Sequence, residues 1–136
     1  MIQVIAGKKG SGKTKRLIEF TNTTAKKADK NVVFIDDDKR LMYDIDRDVR
    51  FVDASEYHVQ TPDMFLGFLC GMLSQNYDIG TIVIDAFMKL CKADMATTQP
   101  FFAMLEELCS KHNVDFVISM SEDPANLPDF VRTYIV

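Results

Sequence analysis

One stretch near the N-terminus, residues 7–14, constrains this chain more than any other. Its sequence, GKKGSGKT, fits the pattern G-x-x-x-x-G-K-[ST] of a phosphate-binding loop at every fixed position. Its glycines let the backbone curl so that several N–H groups converge on one phosphate. Lys13 would bring a mobile positive charge to the β- and γ-phosphates of a nucleotide, and Thr14 would bring a hydroxyl to Mg²⁺. The residues expected to contact the nucleotide are Gly7, Lys8, Lys9, Gly10, Ser11, Gly12, Lys13, Thr14 and Lys15.

The segments on either side of this phosphate loop have the patterns that such a loop requires. Residues 1–6 form a short apolar run that ends at a glycine, which predicts a buried strand. Residues 13–28 predict a helix, and the positive end of its dipole would point at the bound phosphate. The alternative interpretation is an ordinary glycine turn between a strand and a helix. The context therefore favours a phosphate-binding loop between its usual neighbours.

Length and charge limit the choice of domain organisation and ligand. A chain of 136 residues predicts one domain, residues 1–136. Residues 1–30 hold eight Lys or Arg and two acidic residues, a balance of +6, and the remaining residues hold eight against 18, a balance of −10. The basic end surrounds the phosphate loop, as a polyanionic ligand would favour. The acidic remainder offers no basic stripe, so nucleic-acid binding is not indicated.

The cysteines and the apolar runs indicate a cytoplasmic chain with no membrane span. The three cysteines are odd in number and lack C-x-x-C spacing, which predicts reduced thiols and no metal site built from cysteine and histidine. Lys8 and Lys9 interrupt the apolar N-terminus, so no signal peptide is expected. The longest apolar stretch, residues 64–73, has about half the length needed to cross a bilayer. It contains a G-x-x-x-G pattern, interpreted as a helix that packs closely on a sheet or is partly covered by a second subunit.

Beyond the phosphate loop, apolar runs alternate with amphipathic segments. Helices are predicted over 61–75 and from residue 99 onward, with a short helix within 39–48 and a loop over 124–128. Strands are predicted at the apolar or β-branched runs 32–35, 49–52, 81–85 and 114–119, with an edge strand at 131–136. This alternation predicts an α/β fold, a three-layer α/β/α sandwich around a mainly parallel sheet.

Acidic residues follow two of the predicted strands. Asp85 ends an apolar run, the position from which a carboxylate would hold Mg²⁺ opposite Thr14; the alternative is a helix cap. Many ATPases place a water-activating Glu directly after this Asp, but here that position is Ala86. If strand 32–35 neighbours strand 81–85, the run 36–38 lies beside the γ-phosphate, and one of its aspartates could orient water. The alternative is that all three simply face solvent.

Two of these motifs resemble those of RecA-type P-loop ATPases. Residues 34–38, FIDDD, resemble the strand that carries an Ile-Asp-x-Glu pattern there, and the resemblance assigns the catalytic base to Asp38. Residues 82–86, IVIDA, resemble the Walker B strand of that family. The resemblance further implies a γ-phosphate reader at Ser119 or Ser121 and an arginine at the transition state, often from a neighbouring subunit. The candidates for that arginine are Arg40, Arg47, Arg50 and Arg132. The whole sequence also resembles small bacterial P-loop proteins labelled twitching-motility (PilT-like) ATPases.

These patterns favour Mg²⁺-dependent binding and hydrolysis of a nucleoside triphosphate, with ATP as the expected nucleotide and Lys13, Asp38 and Ser119 as the catalytic residues. Thr14 and Asp85 are the expected metal ligands. One alternative is a nucleotide-binding switch or adaptor subunit with little turnover, acting on a protein partner or as a homo-oligomer. A small-molecule kinase is disfavoured because residues 86–98 contain no Arg for a lid over the phosphates.

Overall fold

A computed structural model describes residues 1–27 and 29–136. Its centre is a five-stranded sheet with the order β1-β5-β4-β2-β3, in which every pair of neighbouring strands is parallel. The strands are β1 (Ile2–Gly7), β2 (Asn31–Asp36), β3 (Arg50–Asp53), β4 (Ile79–Ile84) and β5 (Asp115–Ser121). Strand β5 lies between β1 and β4, and β2 is the other neighbour of β4, so the strands that precede the phosphate loop, Asp85 and the run 36–38 all end at one edge of the sheet.

Crossover segments connect these parallel strands, and all of them contain an α-helix except the one from β2 to β3, which holds only a 3₁₀ turn. The helices are α1 (Lys13–Lys27), α2 (Pro62–Gln75), α3 (Phe87–Leu90), α4 (Gln99–His112) and α5 (Asp129–Arg132). The last predicted residue of the first helix, residue 28, lies outside the described residues. Short 3₁₀ turns occur at Met42–Asp44, Ala54–Tyr57, Met95–Thr97 and Pro124–Asn126. The short helix expected within 39–48 is thus a single 3₁₀ turn, and α3 was not predicted.

The strands bury both faces, which explains why they read as continuous apolar runs rather than alternating ones. On one face, Val33, Ile35, Ile82 and Ile84 pack with inward-facing residues of α2 and α4. On the other face, the alternate residues of the same strands pack with Leu17 of α1 and with the segment 41–49. The predicted α/β class and three-layer α/β/α sandwich are therefore confirmed, with a sheet that is parallel throughout.

Helix α2 contacts the sheet through a different face from the one suggested by its glycines. Its buried residues are Phe65, Leu69 and Leu73. Gly67 and Gly71 lie on the outward face, where an added Cβ would meet no atom within 4 Å. The glycines are therefore not there to let the helix approach the sheet closely. Within the described ranges, no helix combines the length and apolar character that crossing a membrane demands.

The strand predicted at residues 131–136 is wrong for most of its length. Helix α5 begins directly after Pro128 and has Asp129 in its first turn, where a negative side chain favours the helix dipole. Residues 131 and 132 belong to α5, and residues 133 and 134 form a turn. Ile135 forms one parallel bridge with Val4, supported by hydrogen bonds from Val4 N to Tyr134 O (2.9 Å) and from Val136 N to Val4 O (3.1 Å).

Candidate functional site

The phosphate loop and the strand-end aspartates meet in one cavity of about 460 Å³ at the carboxyl edge of the sheet. We call it the phosphate-loop cavity. Its lining is formed by Lys9, Gly10, Gly12, Lys13, Thr14, Asp36, Asp37, Arg40, Asp85, Ala86, Met88, Lys89 and Ser121. A second cavity, of about 670 Å³, lies beside the edge strand β3 and is lined by other residues, Arg47, Phe51 and Tyr57 among them. The phosphate-loop cavity is the one that gathers residues able to act on a nucleotide.

The phosphate loop has the backbone conformation that its glycines make possible. Gly10 and Gly12 have φ values of 86° and 87°, in the left-handed region where a Cβ is strained. Helix α1 begins directly after them, at Lys13, so its free N–H groups and positive dipole end lie at the cavity. Lys13 is largely buried, and its ammonium donates a hydrogen bond to Lys8 O at 3.1 Å. It is therefore held along the loop, and a bound phosphate would compete with that carbonyl for it.

Asp85 is held in a fixed orientation by a neighbouring strand. It directly follows β4, and the register that pairs Ile84 with Ile118 sets it beside Ser119 of β5. Ser119 is buried, and its Oγ donates to Asp85 Oδ1 at 2.5 Å; Ala86 N donates to the same oxygen at 2.9 Å. Both hydrogen bonds go to Oδ1, which leaves Oδ2 of this cavity-lining carboxylate available as a metal ligand.

Asp36, the last residue of β2, is almost completely buried, with an exposed fraction of 1%. Its Oδ1 accepts a hydrogen bond from Asp37 N at 2.7 Å, whereas Oδ2 has no hydrogen-bond partner among the described residues. Burial raises the pKa of Asp36 to about 8, and the Asp37 carboxyl and the charge of Asp85 add to the effect. Asp36 is therefore mainly protonated at neutral pH in the nucleotide-free protein.

The three successive aspartates differ in what they face. One carboxylate oxygen from each lies within 4.8 Å of the others. Asp36 and Asp37 line the phosphate-loop cavity, but Asp38 is exposed and lies outside the lining. Its Oδ1 accepts a hydrogen bond from Arg40 N at 2.9 Å, so its side chain folds onto its own backbone. Of the two candidate phosphate-reading serines, Ser121 lines the cavity and Ser119 lies behind Asp85.

Two cations outside the phosphate loop also line the cavity. Arg40 follows β2, and Lys89 belongs to α3. Helix α3 begins after Ala86, whose φ of 57° is left-handed and costs a non-glycine residue about 1–2 kcal/mol. The lining thus holds four basic side chains against three carboxyl groups, and Asp36 is mainly uncharged at neutral pH. The sequence does not predict Lys89 as a site residue, because nothing in residues 86–98 indicates that this segment returns to the cavity.

Comparisons with known proteins show the fold and no more. No family model matches the sequence, and no curated protein matches it. Among solved structures, the chain is similar to domain III of the replication initiation protein DnaA from Thermotoga maritima, with a TM-score of 0.53 and 19% sequence identity. The alignment covers 98% of this chain and 50% of that one, so this chain spans about half the length of that structure. The similarity confirms a P-loop-type α/β fold, and the comparisons give no support to the twitching-motility label.

Proposed function

We propose that this chain binds a nucleoside triphosphate with Mg²⁺ in the phosphate-loop cavity and hydrolyses it. The observation that carries this proposal is the convergence of three elements on one cavity: the phosphate loop, the oriented Asp85, and the pair Asp36 and Asp37. A glycine turn without function would not require a second strand to present a carboxylate opposite the loop. The similarity in fold to a domain of a replication initiation protein supports the proposal without identifying the reaction.

The phosphates would be held by the loop and the first turn of α1. Backbone N–H groups of residues 10–14 converge on the β-phosphate, and the Lys13 ammonium leaves Lys8 O to bind the β- and γ-phosphate oxygens. Mg²⁺ prefers oxygen ligands, and the Thr14 hydroxyl and Asp85 Oδ2 would supply two of them, since both residues line the cavity. A bound Mg²⁺ would supply positive charge that offsets the negative charge of phosphoryl transfer.

The remaining polar residues divide into positioning and water-orienting groups. We assign Ser119 to positioning, because its hydroxyl holds Asp85 Oδ1. We assign the orientation of the attacking water to Asp37 with Asp36 behind it, since both line the cavity and Asp38 does not. In hydrolysis, the water oxygen bonds to the γ-phosphorus, the bond to the bridging oxygen breaks, and the nucleoside diphosphate leaves.

Phosphate release tests this function directly. We expect the native chain to release inorganic phosphate from ATP or GTP in the presence of Mg²⁺, and Lys13→Ala to abolish release. Asp37→Asn should lower the rate more than Asp38→Asn does, because only Asp37 lines the cavity. Lys26→Ala removes an exposed positive charge from the last turn of α1 and is the matched control for Lys13. Release that is unaffected by Lys13→Ala would refute the assignment.

A nucleotide-binding switch with little turnover is the second candidate, and two observations favour it. Ala86 occupies the position where many ATPases carry a water-activating Glu, and Asp36 holds a proton at neutral pH in the nucleotide-free protein. A protonated carboxyl cannot accept a proton from water. This candidate predicts nucleotide binding that depends on Lys13, together with no phosphate release at any protein concentration.

A further inference from the structure

Of the four arginines that could contact the terminal phosphate, Arg40 is the one that lines the phosphate-loop cavity. It follows β2 at the carboxyl edge of the sheet, on the wall that also carries Asp36 and Asp37. Arg47 and Arg50 line the other cavity, beside β3, and Arg132 pairs with Asp129 on α5. The fold thus separates Arg40 from the other three by position.

The Arg40 guanidinium is free to bind a ligand. Its side chain is exposed, and within residues 1–27 and 29–136 no carboxylate lies within the 4 Å that defines an ion pair. By contrast, the preceding residue, Lys39, pairs with Glu56 at 2.6 Å. The two adjacent basic residues therefore differ: Lys39 pairs with Glu56, whereas Arg40 has no ion-pair partner among the described residues.

The backbone around Arg40 is held on both sides. Asp38 Oδ1 accepts a hydrogen bond from Arg40 N at 2.9 Å, which closes a local turn. Leu41, on the other side, is buried in the core formed with α1. These two contacts hold the backbone at residue 40, whereas the Arg40 side chain itself remains exposed. A side chain on a fixed backbone loses less entropy on binding than one on a mobile loop.

We infer that Arg40 binds the terminal phosphate of the nucleotide held by the same chain, and that Asp38 acts as a positioning residue for it. The inference rests on the proposed function. The phosphate loop would hold the β-phosphate, so the terminal phosphate would lie toward the strand-end aspartates and Arg40, which line the same cavity. A triphosphate there would be repelled by these acids, and the Arg40 fork offsets that charge while hydrogen-bonding two oxygens at once.

This assignment makes the site complete within one chain. It does not need an arginine from a neighbouring subunit, so discrimination between tri- and diphosphate should not depend on protein concentration. Asp38 then does not act as the base; its carboxylate accepts a hydrogen bond from the backbone N–H of Arg40. The two roles are separable, because Asn retains the acceptor oxygen and loses the charge, whereas Ala loses both.

The experiment compares the affinities for Mg·ADP and for the Mg²⁺ complex of the β,γ-imido analogue of ATP, by equilibrium titration. Arg40→Ala should weaken binding of the triphosphate analogue by about tenfold to a hundredfold, the range for charged hydrogen bonds, and leave ADP binding within about twofold. Arg40→Lys should fall between Arg40→Ala and the native chain. Lys39→Ala is the matched control and should change neither affinity, because Lys39 contacts Glu56 instead of the cavity. Asp38→Asn should keep the native preference for triphosphate, and Asp38→Ala should reduce it.

The possible results separate this inference from the proposed function. If the native chain binds neither nucleotide, the proposed function is wrong. If it binds both and Arg40→Ala weakens them equally or not at all, nucleotide binding stands and the inference about Arg40 is overturned. An equal loss in Lys39→Ala would also overturn it, since general attraction would then explain the effect. Loss of the triphosphate preference in Asp38→Asn would overturn the positioning role.

Discussion

Replacing Asp36 by Asn should make the stability of the protein depend less on pH. In the folded chain Asp36 keeps its proton up to a pKa of about 8, mainly because the side chain is buried, whereas an unfolded chain loses that proton near the ordinary value of 3.8. Between these two values folding takes up a proton, so stability falls as the pH rises. The stability contributed by the protonated side chain is fully present below 3.8 and is lost as the pH rises through 8.

The size of the effect follows from this pKa difference. Well inside the interval, the free energy of unfolding falls by about 1.4 kcal/mol for each pH unit. From about pH 5 to about pH 7 the native chain should therefore lose roughly 3 kcal/mol of stability through Asp36 alone. Asn keeps the Oδ1 acceptor for Asp37 N and places an uncharged donor at the position of the protonated oxygen, so Asp36→Asn should not show this loss.

Urea unfolding at a series of pH values measures the difference. The free energy of unfolding of Asp36→Asn, minus that of the native chain, should grow by roughly 3 kcal/mol over those two pH units. Asp38→Asn makes the same chemical change at an exposed aspartate and is the reference variant. If the native and Asp36→Asn curves run parallel, the buried carboxyl is not held in its protonated form, and the description of this part of the cavity is wrong.

Three further experiments test separate parts of the structure. Ser119→Ala removes the hydrogen bond to Asp85 Oδ1 and should lower the free energy of unfolding by about 1.5–3 kcal/mol in urea titrations. It should also weaken nucleotide binding more in the presence of Mg²⁺ than in its absence. Equal weakening under both conditions would argue that Ser119 does not position a metal ligand. Gly12, at a φ of 87°, should lose about 1–2 kcal/mol of folding stability and some nucleotide affinity when replaced by Ala. Gly71→Ala, on the open face of α2, should raise the free energy of unfolding by up to about 1 kcal/mol. Equal changes in the thermal unfolding midpoints of the two variants would contradict this difference. Burial raises the pKa of the Cys91 thiol to about 12, so mass spectrometry should find this residue alkylated only after unfolding, and labelling in the native state would contradict its burial.

The sequence predicts the parts of the fold that depend on local pattern. The phosphate loop, the first helix and the apolar strands were recognisable because glycine spacing and buried β-branched runs are strong local signals. The run 131–136 does not form the predicted strand, because Pro128 and Asp129 start a helix that includes its first two residues. The glycines of α2 were misinterpreted because spacing alone does not show which helix face is buried.

The candidate site was predictable in its location but not in its detail. Asp85 could be placed because one strand carries it to the cavity edge. In the run 36–38, Asp36 is the last residue of β2, whereas Asp37 and Asp38 lie in the turn that follows it. The orientation of Asp38 depends on its hydrogen bond with Arg40 N, which the sequence does not predict. Lys89 reaches the cavity only because the chain reverses at Ala86, a left-handed residue that carries no glycine signal.

The central claim is that the phosphate loop binds a nucleoside triphosphate. The most direct measurement is thermal unfolding of the chain at increasing concentrations of Mg·ATP. A ligand that binds only the folded state stabilises it by RT ln(1 + [L]/Kd), so the midpoint should rise continuously with ATP concentration. The same titration should leave Lys13→Ala unchanged, while Lys26→Ala responds like the native chain. A native midpoint that does not move, or one that moves equally in Lys13→Ala, would contradict the claim.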